Sequence, residues 1–474
     1  MRRTIAALGV SAFVLLAAGA LPAQAAEATP ADLATLQQEL TQIKTDYEAR
    51  IEALEAKIAQ LEAAQTPQPD AAPANAAPTD TASADLPPPG SEDQSPPIDE
   101  ASAEPPPAAA APSANGNAMN PGVSVVLNGN FVSDTRDPDL ARISGFPLGD
   151  EAGPPVRGFS LAESEITLAA NVDPYATASL TVAFDGQGAA NVEEAYVQST
   201  ALPGGFTLKG GRFFSAVGYL NERHAHNWSF IDMPLPYRAL LGGQLGDDGV
   251  QVRWLAPIGT YLEFGGEVYR GDSFPAGGAA SRGVGTQTAF VHTGGDINDS
   301  WSWLGALSYV RAKSDGRETF DPYNGLDSFT GDTNLGIVSG VVKWAPGGNV
   351  VQRNLVLSGE YFWGAEKGQF DGLNTDADRS GWYAQGVYQF RPRWSVGLRY
   401  SQVTTGNIPP ALVGSTLDDL GHDAWNASAL LEYDSSEFGR FRLQYTRDGS
   451  SPDAGDQLWL QYTVVYGPHG AHRY

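Results

Sequence analysis

The sequence predicts an all-β fold: a transmembrane antiparallel β-barrel of about sixteen strands, preceded by an N-terminal coiled-coil helix and a Pro/Ala-rich linker. Three observations predict it. From residue 123 onward apolar and polar residues alternate with a period of two, the signature of strands with one wet and one apolar face. Tight turns alternate with long connections along that stretch, as in barrels of bacterial outer membranes. Beyond the first 25 residues no apolar run approaches the ~20 residues that a membrane-spanning helix needs, so any membrane crossing must use strands.

The chain opens Met1-Arg2-Arg3, continues with an apolar run and reaches Ala23-Gln24-Ala25, which is the pattern of a secretory signal peptide over residues 1–25. Absence of cysteine fits an exported chain that needs no disulfides. A formal net charge of -26 argues against nucleic acid as a partner, because phosphates would be repelled.

Residues 31–63 carry Leu33, Leu36, Leu40, Ile43, Tyr47, Ile51, Leu54, Ile58 and Leu61. These steps of three and four make a heptad seam with one stutter, so a periplasmic coiled coil is expected, and with it a homo-oligomer, taken as a homotrimer. The other reading is a lone amphipathic helix lying on another surface. Residues 64–119 are Pro, Ala, Ser, Asp and Glu with little to bury, which predicts a disordered linker. At ~3.1 Å per residue it reaches on the order of 150 Å.

The barrel is expected over residues 120–474. Its strands are placed at 123–133, 159–171, 177–184, 192–200, 206–213, 249–255, 261–270, 286–293, 301–312, 334–344, 354–363, 381–390, 394–402, 424–433, 441–447 and 457–466. An even count suits a closed antiparallel ring. Turns such as Asp173-Pro174-Tyr175 and Arg391-Pro392-Arg393 are tight, whereas long loops are expected at 134–158, 214–248, 271–285, 313–333, 364–380 and 403–423. In the last strand Leu458, Leu460, Tyr462, Val464 and Tyr466 suit outer-membrane lipid, and Gln457, Trp459, Gln461, Thr463 and Val465 suit a mainly polar lumen. The terminal Tyr474 resembles the C-terminal aromatic of outer-membrane barrels.

The connection at 214–248 stands out, because loops that long in compact domains are usually functional. Arg212, Arg223, Arg238 and Arg253 with Glu222, Asp232, Asp247 and Asp248 would set opposing charges across a pore and filter ions. The alternative is that they pair with each other and hold the loop to the wall. His224 and His226 form a His-x-His within reach of one metal ion, with Glu222 or Asp232 as a carboxylate ligand and zinc or another divalent metal as the ion. His469 and His472 form a second close pair, and join that site only if the tail turns in. There is no Gly-x-Ser-x-Gly, His-Glu-x-x-His or phosphate loop, so no enzyme and no required cofactor is expected.

From Asn120 to the C-terminus the chain resembles a family of proteobacterial outer-membrane porin-like proteins. The resemblance rests on Asn120-Pro121-Gly122-Val123-Ser124-Val125, on Gly211-Arg212-Phe213-Phe214, on the run from His224 to Asp232 followed by Pro234-Leu235-x-Tyr237-Arg238-Ala239, and on the closing Gly467-Pro468-His469-Gly470-Ala471-His472. It implies an outer-membrane location in a Gram-negative bacterium, and it implies that the third external loop folds inward as a constriction. Members are sometimes labelled zinc-regulated or TonB-dependent receptors and look distantly like phosphate-selective porins. Two features depart from those labels: a coiled coil and linker stand where a plug would be, and the barrel region has only four lysines, Lys209, Lys313, Lys343 and Lys367. The expectation is therefore a porin for small hydrophilic solutes or ions, with weak cation preference. Divalent-metal (zinc) uptake is one alternative. An envelope tether, touching the cell wall through the coiled coil with the barrel as anchor, is another.

Overall fold

The computed structural model describes residues 121–149, 152–186 and 188–467. The expected signal peptide, coiled coil and linker, and His469 and His472, lie outside the described residues.

Sixteen strands form the barrel among the described residues. The first eight are β1 (Gly122–Asp134), β2 (Ser164–Asp173), β3 (Ala176–Phe184), β4 (Ala190–Ser199), β5 (Phe206–Phe214), β6 (Gly246–Leu255), β7 (Tyr261–Tyr269) and β8 (Thr286–Asn298). The second eight are β9 (Trp301–Asp321), β10 (Gly325–Trp344), β11 (Asn354–Phe370), β12 (Leu373–Arg391), β13 (Trp394–Thr405), β14 (Ala424–Ser436), β15 (Gly439–Gly449) and β16 (Gly455–Tyr466). Each pairs antiparallel with the next, and β16 returns to β1 with Val125 opposite Tyr466 and Asp134 opposite Gln457. Closure leaves no edge strand, so outside a few bulges the backbone of the wall pairs strand to strand around the ring. Short fragments Gly158–Ser160 and Gly277–Gly278 add to β1 and, in parallel, to β9.

The period of two sorts the side chains between lipid and lumen. Leu307, Val338, Leu357, Val396, Leu398, Leu431 and Leu460 are exposed on the outer face, while Ser308, Ser339, Ser358, Ser395, Arg399 and Gln461, of opposite parity, are buried within. Aromatic pairs bound this apolar belt. Trp301–Trp344, Trp394–Tyr433 and Phe441–Tyr462 flank the tight turns, and Tyr361–Trp363 and Trp382–Tyr400–Trp425 flank the long connections. Two such girdles are how a barrel meets its two membrane interfaces.

Two expected loops, 313–333 and 364–380, are corrected by the structure. They are strand: β9 and β10 have 21 and 20 residues, β11 and β12 17 and 19, all beyond the roughly 9–11 residues that cross a bilayer. Their charged residues stand above the lipid, where they pair across the ladder, as Lys367 does with Asp376 at 3.0 Å. The hairpin tip Asp371-Gly372 has positive φ at both residues (50° and 76°), as a two-residue turn of the right-handed twist demands.

The connection at 406–423 folds over these projecting hairpins. Leu412 and Leu417 pack on Phe329 and Phe370, and the Thr416 hydroxyl donates to buried Asp327. Burial, with Asp371 and Asp321 nearby, pushes the Asp327 carboxyl up to about 6, against the Thr416 bond, which favours the anion. Because the folded value lies above the unfolded one, this contribution to stability is full below about pH 4 and is lost as pH rises through about 6. Proteolysis of the 406–423 connection should therefore be faster at pH 7.5 than at pH 5, and Asp327→Asn should remove the difference.

Candidate functional site

The connection between β5 and β6 enters the barrel and stays there. A chain segment inside a closed ring has no sheet partner, so its donors and acceptors must be met by wall side chains. Its ends are closed first: Ser215 N–H donates to Leu245 O at 2.8 Å, and buried Asn221 bonds both of these residues, donating to their carbonyls and accepting from Leu245 N–H, each at 2.8 Å. On β7, Glu267 then accepts Ala216 N–H at 2.9 Å, Gln251 Nε2 at 2.6 Å and the hydroxyls of Ser215 and Thr288.

Across the lumen on β11, Glu360 makes the second anchor. It accepts Tyr219 N–H at 2.7 Å, Ser339 Oγ at 2.6 Å and the hydroxyls of Tyr237 and Tyr383 at 2.7 Å each. Tyr237 belongs to a two-turn helix, α1 (Leu235–Leu241), stopped by Gly242 in the left-handed conformation. Gly218 has φ +69°, and a Cβ there would lie 2.5 Å from Tyr237 Oη and 2.8 Å from Glu360 Oε1, so this corner requires glycine. Val217, Leu220, Leu235, Leu240 and Leu245 pack with Val310, Ile337, Phe362 and Val403 of the wall as an apolar core inside the ring.

A third set of anchors is basic. Arg399 on β13 donates to Asp232 O and Oδ1 at 2.5 and 2.6 Å. On β15, Arg442 donates to Trp228 O at 2.7 Å, Arg440 to His226 O, and Gln444 takes Ile231 N–H at 2.8 Å. The segment from 226 to 232 is thus held by an arginine ladder on one arc of the ring. Glu165 on β2, Glu193 and Glu194 on β4, and Glu263 and Glu267 on β7 occupy another.

The eight charged residues expected at a constriction separate into groups. Glu222 pairs with Arg253, which also faces Glu263 at 3.6 Å, while Lys209 approaches Glu222 at 3.4 Å. Asp232 joins the ladder. Arg223 lies over the Tyr219 ring at 4.5 Å, and Arg238 donates to Ala152 O at 3.1 Å. Asp247 accepts the N–H groups of Gly271 and Asp272, so it fastens the β7–β8 connection. Arg212 and Asp248 pair at 2.8 Å with the outward parity of Leu208, Val250 and Val252, and they are not brought into the lumen.

His224 and His226 come together, stacked at 5.7 Å, but neither Glu222 nor Asp232 joins them. The carboxylates that do are Glu165, Glu193 and Glu194. His224 Nδ1 lies 3.1 Å from Glu193 Oε2 and 3.3 Å from Glu165 Oε2, its Nε2 lies 3.0 Å from Glu194 Oε2, and His226 Nδ1 lies 2.9 Å from Glu165 Oε1. Two consecutive glutamates reach one imidazole because β4 bulges: Glu194 pairs with Thr181 and Val192 with Val182, leaving Glu193 as the extra residue. That Glu-Glu step, which breaks the alternation of an otherwise regular strand, is the sequence signal that could have found them. For Glu360 the signal is a lone acid on the inward parity of an apolar strand.

The arrangement defines a class: a closed sixteen-stranded outer-membrane-type barrel whose longest connection between strands, 215–245, is folded into the lumen. The chain belongs to the same family as an uncharacterized protein of Aquifex aeolicus (strain VF5), with 30% identity over 385 residues, 75% of this chain and 80% of the relative. No family model matches it. Among solved structures it is similar to the outer membrane channel DcaP of Acinetobacter baumannii, at 14% identity and a TM-score of 0.50, over 76% of this chain and 100% of that one. It is also similar to an anion-selective porin from Comamonas acidovorans, at 10% identity and a TM-score of 0.49, over 73% and 100%. The zinc-regulated and TonB-dependent receptor labels find no support in the family comparison.

Removing Glu360 leaves Tyr219 N–H and three hydroxyls without their acceptor. Glu360→Ala should cost at least about 3 kcal/mol in denaturant unfolding from detergent micelles, and Tyr383→Phe, which removes one donor of four, about 1 kcal/mol. Equal costs would contradict the shared-anchor reading.

Proposed function

We propose that the protein is a porin of a Gram-negative outer membrane, through which small hydrophilic solutes or ions diffuse, with the inward-folded connection as its constriction. The observation that carries this reading is the path of residues 215–245, anchored to both arcs of the ring by buried carboxylates and arginines. A loop fixed at that many points acts as a rigid part of the channel wall. Solutes would pass between an acidic arc and a basic ladder, where pore width, local charge and the cost of shedding water set the rate. The excess of carboxylates favours weak cation preference. The tight turns would face the periplasm and the long hairpins the outside. The heptad seam in residues 33–61 favours a homo-oligomer, which we take as a homotrimer.

Planar-bilayer recordings test the reading. The full-length protein should give discrete ohmic steps, and replacing residues 215–245 by a short Gly-Ser linker should raise the unit conductance several-fold. A barrel that is silent both with and without the connection would overturn it.

A further inference from the structure

We propose that the lumen wall and the inward-folded connection together build a divalent-cation site, with His224 Nδ1, Glu165 and Glu193 as ligands and Glu194 and His226 as positioning residues. The site would clip the connection to β2 and β4. It does not require conduction, so it stands apart from the porin reading.

The geometry is that of ligands sharing one ion. The three ligand atoms lie within 4.8 Å of one another, with 3.1 and 3.3 Å from the ring nitrogen to the two carboxylates. Atoms bound tetrahedrally at about 2.0–2.1 Å to zinc lie about 3.3 Å apart. A single Nδ1 offers either one proton or one lone pair, so it cannot bond both carboxylates well by itself. A cation between the three satisfies all of them.

The surroundings fit the outer shell of a metal centre. A ligating histidine gives its second nitrogen to a carboxylate, which fixes its tautomer and orientation. His224 Nε2 does so at 3.0 Å to Glu194, whose other oxygen accepts Phe214 N–H at 3.3 Å. Glu165 is held through its other oxygen by His226 Nδ1.

Charge points the same way. With neutral imidazoles the cluster carries three carboxylates, and among the described residues no Arg or Lys ion pair reaches Glu165, Glu193 or Glu194. The nearby Lys209 faces Glu222, and Arg440 binds the His226 carbonyl and faces Glu432 at 3.7 Å. Buried like charges of that number need a counter-charge. One nitrogen with carboxylate oxygens suits zinc and its first-row neighbours, and three protein ligands leave a position for water or exchange. Both glutamates sit on rigid strands, whereas His224 belongs to the connection, so binding would tie the two together.

The test uses full-length protein in detergent, carrying His469→Ala and His472→Ala so that the C-terminal pair contributes nothing. After chelator treatment, calorimetry and elemental analysis should find one zinc per chain. His224→Ala and Glu193→Gln should each weaken binding at least 100-fold. Glu194→Gln should weaken it about 10- to 100-fold while keeping one ion per chain and shifting the visible spectrum of the cobalt(II) form. Unchanged zinc binding in both His224→Ala and Glu193→Gln, or none in the parent protein, would overturn the site and identify the cluster as protonated histidines pairing with carboxylates. If a variant fails to fold, imidazole nitrogen coupling in the electron–nuclear double resonance spectrum of the parent cobalt(II) form decides, its absence being contrary. Conductance of the zinc-free protein reports on the channel separately.

Discussion

A loop inside a closed barrel has no strand to bond to, and the structure meets that constraint with buried carboxylates. Glu267 and Glu360 stand on different strands, and each accepts a backbone N–H of the connection together with side-chain donors. A carboxylate is suited to this task because its two oxygens offer about four lone-pair directions, enough to gather donors from a wall and a loop at once. Charge-assisted bonds of this kind are also stronger than neutral ones. The apolar core of Val217, Leu220, Leu235 and Leu240 adds packing, but packing alone would leave the N–H groups of Ala216 and Tyr219 without acceptors. The arginines on β13 and β15 complement this arrangement by taking the carbonyls of His226, Trp228 and Asp232.

The same division of labour explains the charge pattern of the lumen. Residues expected to line a constriction also hold the connection in place, as Glu222 with Arg253 and Asp232 with Arg399 show. The two roles expected for these residues, constriction and attachment, are therefore not exclusive. The histidine cluster differs, because its three carboxylates converge on one imidazole without an Arg or Lys ion pair among the described residues.

Much of the fold was legible in the sequence because a lipid-facing strand has little choice: its outward residues must be apolar. The sixteen strands follow, and Leu458, Leu460 and Tyr462 face outward as their parity requires. That rule lapses beyond the membrane, and there the reading of residues 313–333 and 364–380 as loops failed, because ladders outside lipid tolerate Lys367 opposite Asp376. The site was legible only in part. The His-x-His and the length of the connection are local features, but Glu165 lies 61 residues before His226 in the chain and Glu193 lies 31 before His224. Contacts of that range depend on strand register, and on a bulge in β4 whose one local mark is the Glu193-Glu194 step.

Hydrogen exchange of the intact protein in lipid tests the central claim, that residues 215–245 form a fixed part of the lumen. The amides of Ala216, Tyr219, Leu220, Ile231 and Leu245, each bonded to a buried side chain, should exchange as slowly as those of the barrel strands. Exchange at the rate of an exposed loop would contradict the account.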